Sequence, residues 1–586
     1  MSDVAARPRS PARRLSRLSC LLVALAAFVA YLPALDGGWV NWDDEVNFVW
    51  NPHFRGLGPA QLRWMLSTTQ LAVYAPLAWL TLGLNYVLGG LDPWGYHLGN
   101  LLLHAASAAL FLLVALRLLA AGTGLRRDEP AILAGAVVAA LVFAVHPLRV
   151  ESVAWVTERR DVLSTLLYLA AALAYLRGAE RPGALRGGWR ALSLAGFAAA
   201  LAAKGLAMTL PLSLLLLDVY PLRRWPALGW RTLVREKTGY WALAALGAAA
   251  ALWAVTREAR WTSYGDQGPP ARLAMLGYSL WFYPSRLAWP AELSPYYEMP
   301  ERVGLGDGRF LGPLLGVVAV TGFLVLARRR WPAGLAAWIH SAIVLAPVSG
   351  IVHAGAQLAH DRFSYLSGLG FALLAGGGMA WVVRRWERRE VGTVVLAAAA
   401  GCAALTVLGL GVGAWEQTKV WRDSESLWRA AVDADPSCAL CRSNLGNVLY
   451  GQGRLREAER EQRAAVALRP RWPEPHNNLG IALAAQRRYA EAEPAFRAAL
   501  RLDPGMAGVL ANLGTLCADQ GRWAEATPLL QRALALAPDI PGLRATAARA
   551  FQQRAAELER EGRLGEALAL ARSMPGPPGG RTDRSR

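Results

Sequence analysis

Residues 391–446 read VGTVVLAAAAGCAALTVLGLGVGAWEQTKVWRDSESLWRAAVDADPSCALCRSNLG, and two kinds of chain meet inside them. Residues 391–414 hold no charged side chain over twenty-four positions, enough to cross a bilayer as a helix. From Glu416 onward charges return every few residues, between apolar positions at helical spacing. The same break divides all 586 residues. Residues 1–414 carry 37 Lys/Arg and 23 Asp/Glu, while the much shorter 415–586 carries 25 and 20. The first part is too poor in charge for a soluble globule and too apolar for disorder. The fold class expected is all-α: a polytopic helical membrane domain followed by a water-soluble helical array. The net charge of +19 does not call for a nucleic-acid partner, because most of the excess sits at the ends of apolar runs.

The soluble part repeats every 34 residues. Asn-Leu-Gly recurs at 444–446, 478–480 and 512–514, Glu-Ala at 457–458, 491–492 and 525–526, and Pro at 436, 470, 504 and 538. This is tetratricopeptide (TPR) spacing, and it predicts an α-solenoid of helical hairpins. Gly446, Ala458 and Ala465 are the small residues that let the two helices of the first hairpin approach. The prolines end each second helix. Residues 421–434 predict a lone helix that starts the stack. The turn 562–567 implies a fourth repeat whose first helix is about two turns longer. A TPR stack carries no chemistry of its own. Its concave face binds extended peptides or helices, with Asn444, Asn478 and Asn512 as candidate acceptor-binding residues; the plain alternative is a spacer.

Upstream, eleven runs have the length and apolarity of spans: 18–35, 97–119, 130–147, 161–177, 190–205, 206–221, 239–256, 309–327, 331–347, 363–383 and 391–414. The first follows Arg7, Arg9, Arg13, Arg14 and Arg17 and lacks a small-x-small cleavage site, so it is expected to stay as an anchor with a cytoplasmic N-terminus. With eleven spans, 24 basic residues fall on the cytoplasmic side and 13 on the outer side. The segments 71–90 and 273–290, rich in Trp, Tyr and Pro, are expected to be interfacial or re-entrant. The odd count places the solenoid outside. The expected domains are a basic N-terminus (1–17), a transmembrane domain (18–414) with outer loops 36–96 and 146–161, a TPR domain (415–572) and a disordered tail (573–586).

The outer loops hold the candidate chemistry. The first opens Asn41-Trp42-Asp43-Asp44-Glu45. Adjacent carboxylates repel, which raises one pKa and suits a general base; the plain alternative is a solvated acidic turn. The second runs from His146 to Asp161 and includes Glu151, Glu158 and Arg159. Lys204 and Arg362 stand at later outer boundaries. A lone cation at a membrane boundary is more often a snorkelling anchor. Several beside an acidic cluster suit a lipid-linked phosphate.

These residues fall in a known order. Asn41-x-Asp43-Asp44 is followed by Ala75-Pro76-Leu77, then Gly95-Tyr96-His97-x-x-Asn100-x-x-x-His104. Next come His146-Pro147-x-x-x-Glu151-Ser152-Val153-Ala154-Trp155-Val156-x-Glu158-Arg159-x-Asp161, Lys204, Thr209-Leu210-Pro211 and Asp361-Arg362-x-x-Tyr365-Leu366, then the TPRs. The order resembles the transmembrane and TPR repeat-containing O-mannosyltransferase (TMTC-like) family, over about residues 30–540. The resemblance implies a GT-C-like membrane enzyme with a polyprenyl-phosphate sugar as donor. It implies Asp43, Asp44, Glu151 and Asp161 as catalytic residues, Arg159, Lys204 and Arg362 as donor-phosphate ligands, and no metal. It implies transfer of a sugar to Ser/Thr hydroxyls of an extracytoplasmic protein held by the TPRs, in the inner membrane of a bacterium. The alternatives are a non-catalytic membrane-anchored scaffold, or the same fold acting on a lipid or glycan. Among the five cysteines, Cys438 and Cys441 either form a disulfide or pack. His97 and His104, two turns apart, are expected to make a satisfied intrahelical or lipid-headgroup contact rather than to bind metal.

Overall fold

The computed structural model describes residues 11–180, 187–257, 268–350 and 357–573. Among the described residues the regular structure is helical, apart from one short antiparallel pairing of Tyr297–Glu298 with Gln357–Ala359. The chain forms two compact units, Met1–Ala430 and Ala431–Arg586. The division falls beyond the composition break at 414, because the helix Thr393–Val420 continues through it and the next, Ser424–Ala434, starts in the first unit.

In the first unit a helix occupies most of each predicted apolar run. Among the described residues, five helices are long and apolar enough to cross a membrane: Pro93–Thr123, Val156–Gly178, Thr238–Arg257, Gly308–Ala327 and Thr393–Val420. Two more are bent pairs, Pro130–Ala144 with Pro147–Ala154 (56°) and Asp361–Ser367 with Leu369–Glu387 (55°). Leu15–Ala30, Gly205–Val219 and Pro332–Val348 are shorter. Several of these helices leave apolar faces uncovered: Val394 is 79% exposed and Leu405 71%. In water that surface would be unfavourable; in lipid it is solvated, so the chain is a membrane protein.

Small residues set how closely the bundle packs. A Cβ at Gly135 would stand 2.5 Å from the Gly376 carbonyl, so Pro130–Ala144 and Leu369–Glu387 meet backbone to backbone. The pair predicted at 190–205 and 206–221 does break at Lys204, between the helix Gly187–Ala203 and the turn Gly205–Thr209. The 71–90 run contributes the helix Pro76–Gly89, and 273–290 lies in Pro269–Ala288.

Among the described residues the second unit stacks four helical hairpins, Ala439–Gly451/Leu455–Leu468, Pro473–Ala485/Tyr489–Leu502, Ala507–Asp519/Trp523–Leu536 and Leu543–Arg560/Leu564–Arg572. The last hairpin's first helix is the longest of the four, as the displaced turn at 562 implies. A Cβ at Gly480 would come within 2.7 Å of the Phe496 ring, and one at Gly514 within 2.7 Å of Leu530. Glycine therefore permits the close pairing of each hairpin. Cys438 and Cys441 are disulfide-bonded, which resolves that pair. The predicted tail, from Met574 on, and the first ten residues lie outside the described residues.

Candidate active site

The first acidic loop folds inward. Asp43 takes a left-handed backbone (φ 69°), a conformation that Asp adopts more readily than most residues. Asp44 is 1% exposed. Its Oδ1 accepts from the Thr157 hydroxyl at 2.7 Å and the Thr157 amide at 3.2 Å, and its Oδ2 accepts from the Val40 amide at 3.3 Å. Burial outweighs these hydrogen bonds, and together with the neighbouring Asp43 charge it pushes the Asp44 carboxyl up to about 7. A solvated turn would show neither the burial nor the shift. Asn47 donates to the same Thr157 hydroxyl at 3.0 Å, so two side chains of the first loop converge on one residue of the second.

Beyond Thr157 the chain turns into the helix Arg159–Gly178, and Glu158 enters the ionic cluster. Glu158 accepts from Lys204 Nζ at 2.9 Å and Arg160 at 2.7 Å, and it also lies 3.4 Å from Arg362 Nε. Lys204 also donates to Asp161 at 2.6 Å, and Ser152 donates to the far oxygen of Asp161 at 3.3 Å. Arg362 pairs with Glu151 through its guanidinium, and its backbone amide donates to the same carboxylate at 2.8 Å. The guanidinium lies 5.4 Å from the Trp155 ring centre and 5.2 Å from that of Phe363. Three acids and three bases from four chain segments therefore meet one residue away from the Asp44 anchor. The break at Lys204 delivers its ammonium to the site, because the helix before it stops at Ala203.

An apolar cavity of about 540 Å³ lies elsewhere in this unit, lined among others by Phe111, Tyr168, Ser213, His340 and Leu369. Tyr168 is two helical turns, about 10 Å at 1.5 Å per residue, along from Asp161.

Several known proteins are similar to parts of this chain. It is 38% identical over 127 residues to "Protein O-mannosyl-transferase tmtc2" of Xenopus laevis, covering 22% of this chain and 14% of that protein. It is 34% identical over 171 residues to human TMTC1, covering 27% and 18%. It is 26% identical over 494 residues to mouse TMTC4, covering 74% and 64%. A tetratricopeptide-repeat family matches residues 408–473 and 477–541. Over these stretches the chain is similar to the TMTC proteins. It spans less than two thirds of the length of each of these relatives, and about one seventh of the frog protein. Among solved structures, a crystal structure of MamA is 20% identical over 25% of this chain and 78% of that one, with a TM-score of 0.22.

The fold brings together most of the residues singled out from the sequence, but not all. Asp43 and Asp44 sit on the first loop, and Glu151, Asp161, Lys204 and Arg362 form the ionic cluster. Arg159 does not join them. Its guanidinium donates to Asn85 at 2.8 Å, to the Tyr96 carbonyl at 2.7 Å and to Asn100, and it is 2% exposed. It ties the helices Pro76–Gly89 and Pro93–Thr123 to its own. Glu158 takes a place in the cluster: Asp161 is three positions further on, which puts both carboxylates on one helix face, whereas 159 points about 100° away. Lys204 and Arg362 are not unpaired cations either, since each already faces two carboxylates. In the repeats, Asn512 donates to Asn477 at 3.0 Å, and Asn478 donates to Ser443 at 3.3 Å. These two asparagines tie successive first helices to each other, which turns part of their predicted acceptor-binding capacity inward. His104 bonds Tyr365 and, at 2.9 Å, the Ala144 carbonyl, so its partners lie on other helices rather than within its own helix or at a lipid headgroup.

Proposed function

We propose that this chain is a membrane glycosyltransferase of GT-C type. It moves a sugar, mannose by analogy with its relatives, from a polyprenyl-phosphate donor to Ser/Thr hydroxyls of an extracytoplasmic protein. The observation that carries the reading is the junction at Thr157–Glu158, where the Asp43–Asp44 loop, anchored on Thr157, adjoins a cation cluster from distant segments. Acid–base transfer with a phosphate leaving group needs both within one site.

In this reading Asp43, the less buried acid, accepts the proton of the acceptor hydroxyl as its oxygen bonds the anomeric carbon. The bond from that carbon to the donor phosphate breaks, and the configuration inverts. Asp44 holds the loop against Thr157 and sets the local field. Lys204 and Arg362 stabilise charge on the leaving phosphate. Glu151, Glu158 and Asp161 hold the two cations in place beforehand, so little reorganisation is needed when a phosphate takes over some of their hydrogen bonds. The apolar cavity suits the isoprenoid chain of the donor. The Cys438–Cys441 disulfide suits an oxidising compartment, which supports a periplasmic TPR domain and a bacterial inner-membrane location. The TPRs then hold the acceptor polypeptide.

The ion pairing of every charge in the cluster also favours a second reading, a non-catalytic scaffold in which the ion pairs only latch helices together. One experiment separates the two. Purified protein in lipid nanodiscs is given polyprenyl-phosphate mannose and Ser/Thr-rich peptides, with Asp43→Asn and Asp44→Asn as variants. The transferase reading expects transfer by the parent and a loss of at least about a hundredfold in Asp43→Asn. Parent-level transfer in Asp43→Asn removes the base assignment. No transfer by the parent, with no change in surface glycopeptides on gene deletion, leaves the scaffold.

A further inference from the structure

The acidic loop is also gripped from the C-terminal end of the first unit. The Gly38 amide donates to the Arg422 carbonyl at 2.8 Å, and the Asn41 amide donates to the Ser424 hydroxyl at 2.9 Å. The Trp428 indole N–H donates to the Asn41 side-chain carbonyl at 2.6 Å. Trp428 also packs edge-to-face on Trp42, with ring centres 5.3 Å apart. Trp428 is fully buried and Trp421 3% exposed, so neither indole is a surface anchor. Trp421 stacks on Trp155 at 5.5 Å, and Trp155 is the ring over which Arg362 lies. One short segment, nearly four hundred residues away in sequence, therefore touches both halves of the candidate site.

A connector whose only task is to join two domains has no need for these contacts. Three hydrogen bonds within four residues of the acidic loop cost chain entropy to assemble, and all end immediately before Asp43. The loop has no regular structure between Gly37 and Val40 to hold it otherwise. We propose that residues 421–428 are a positioning element of the active site: Ser424 and Trp428 hold Asn41, and through it set the orientation of the Asp43–Asp44 turn toward the Arg362 cluster. This rests on the transferase reading above. It makes the segment that enters the repeat array part of the catalytic apparatus, although it lies outside the two outer loops and touches no reacting atom.

The test uses the full chain in nanodiscs, with Ser424→Ala/Trp428→Phe as the double variant and Ser424→Thr as the conservative one. Phe keeps an aromatic ring and removes the indole donor; Thr keeps the hydroxyl. Two readouts are taken, amide hydrogen exchange over residues 38–47 and steady-state sugar transfer. The double variant should exchange about tenfold faster over 38–44, with the amides of Arg159–Gly178 unchanged. Its kcat should fall about tenfold with KM within about twofold, because orientation and not substrate binding is lost. Ser424→Thr should retain the parent values of both. Unchanged exchange in the double variant overturns the grip itself. Faster exchange with parent kcat overturns the positioning role while leaving the transferase reading intact. Failure of the parent to transfer sugar, in contrast, defeats that reading and this inference with it.

Discussion

At the scale of single residues, the site shows how burial changes what a carboxylate can do. Asp43 and Asp44 are the same residue type side by side, yet only Asp44 is enclosed, and it holds its proton up to about pH 7 against 3.8 for the free side chain. The sign of the consequence follows from linkage. A carboxyl whose folded pKa lies above its unfolded value binds the proton more tightly when folded. Its contribution to stability is full below about pH 4 and is lost as the pH rises through about 7. Thermal unfolding of the parent should therefore show a loss of stability across that interval, and Asp44→Asn should flatten that part of the profile. An unchanged slope in Asp44→Asn would place the titration elsewhere. Glu158 makes a complementary point. As a free residue type it is indistinguishable from Glu151, and only the turn from Thr157 into the helix makes it the carboxylate contacted by Lys204, Arg160 and Arg362.

At the scale of elements, the hairpin turns of the solenoid repeat a backbone requirement. Gly453 (φ 78°) and Gly521 (φ 72°) occupy the left-handed position in the first and third repeats. Thirty-four residues on from Gly453, the second repeat has Arg487 at φ 59°. Its side chain is exposed and its amide bonds the Ala484 carbonyl, so the residue is held in the turn at the usual cost for a Cβ in that region. Arg487→Gly should stabilise the repeat domain by about 1 kcal/mol, the left-handed penalty less the added chain entropy. The measurement is chemical unfolding followed by the helical signal; a destabilised variant would mean that the guanidinium contributes more than the turn costs. The turn positions were legible from the 34-residue period alone. The break at Lys204 was legible as two apolar runs too close to be joined by a loop. The 55° bend before Leu369 was not, because the hydropathy of 363–383 is continuous across it.

At the scale of the whole molecule, the distribution of charge makes a claim about sidedness that labelling can check. Cysteines placed at Gly308 and Gly451 would have open space around their Cβ atoms. In a background with Cys20, Cys402 and Cys517 replaced, both should react with a membrane-impermeant thiol reagent in intact cells. Protection of both until the cells are opened would invert the orientation. The chain's own residues determined the class of fold, the place where apolar helices give way to repeats, and the residue types of the site. These are local properties: hydropathy over some twenty positions, a period of 34, and short motifs. Only the tertiary structure decided which charges meet. Arg159 and Glu158 are neighbours in sequence with opposite fates, and Asn41 and Trp428 are partners across almost four hundred residues. Pairing depends on helix phase and on which segments pack together, and neither can be read from a window shorter than the fold.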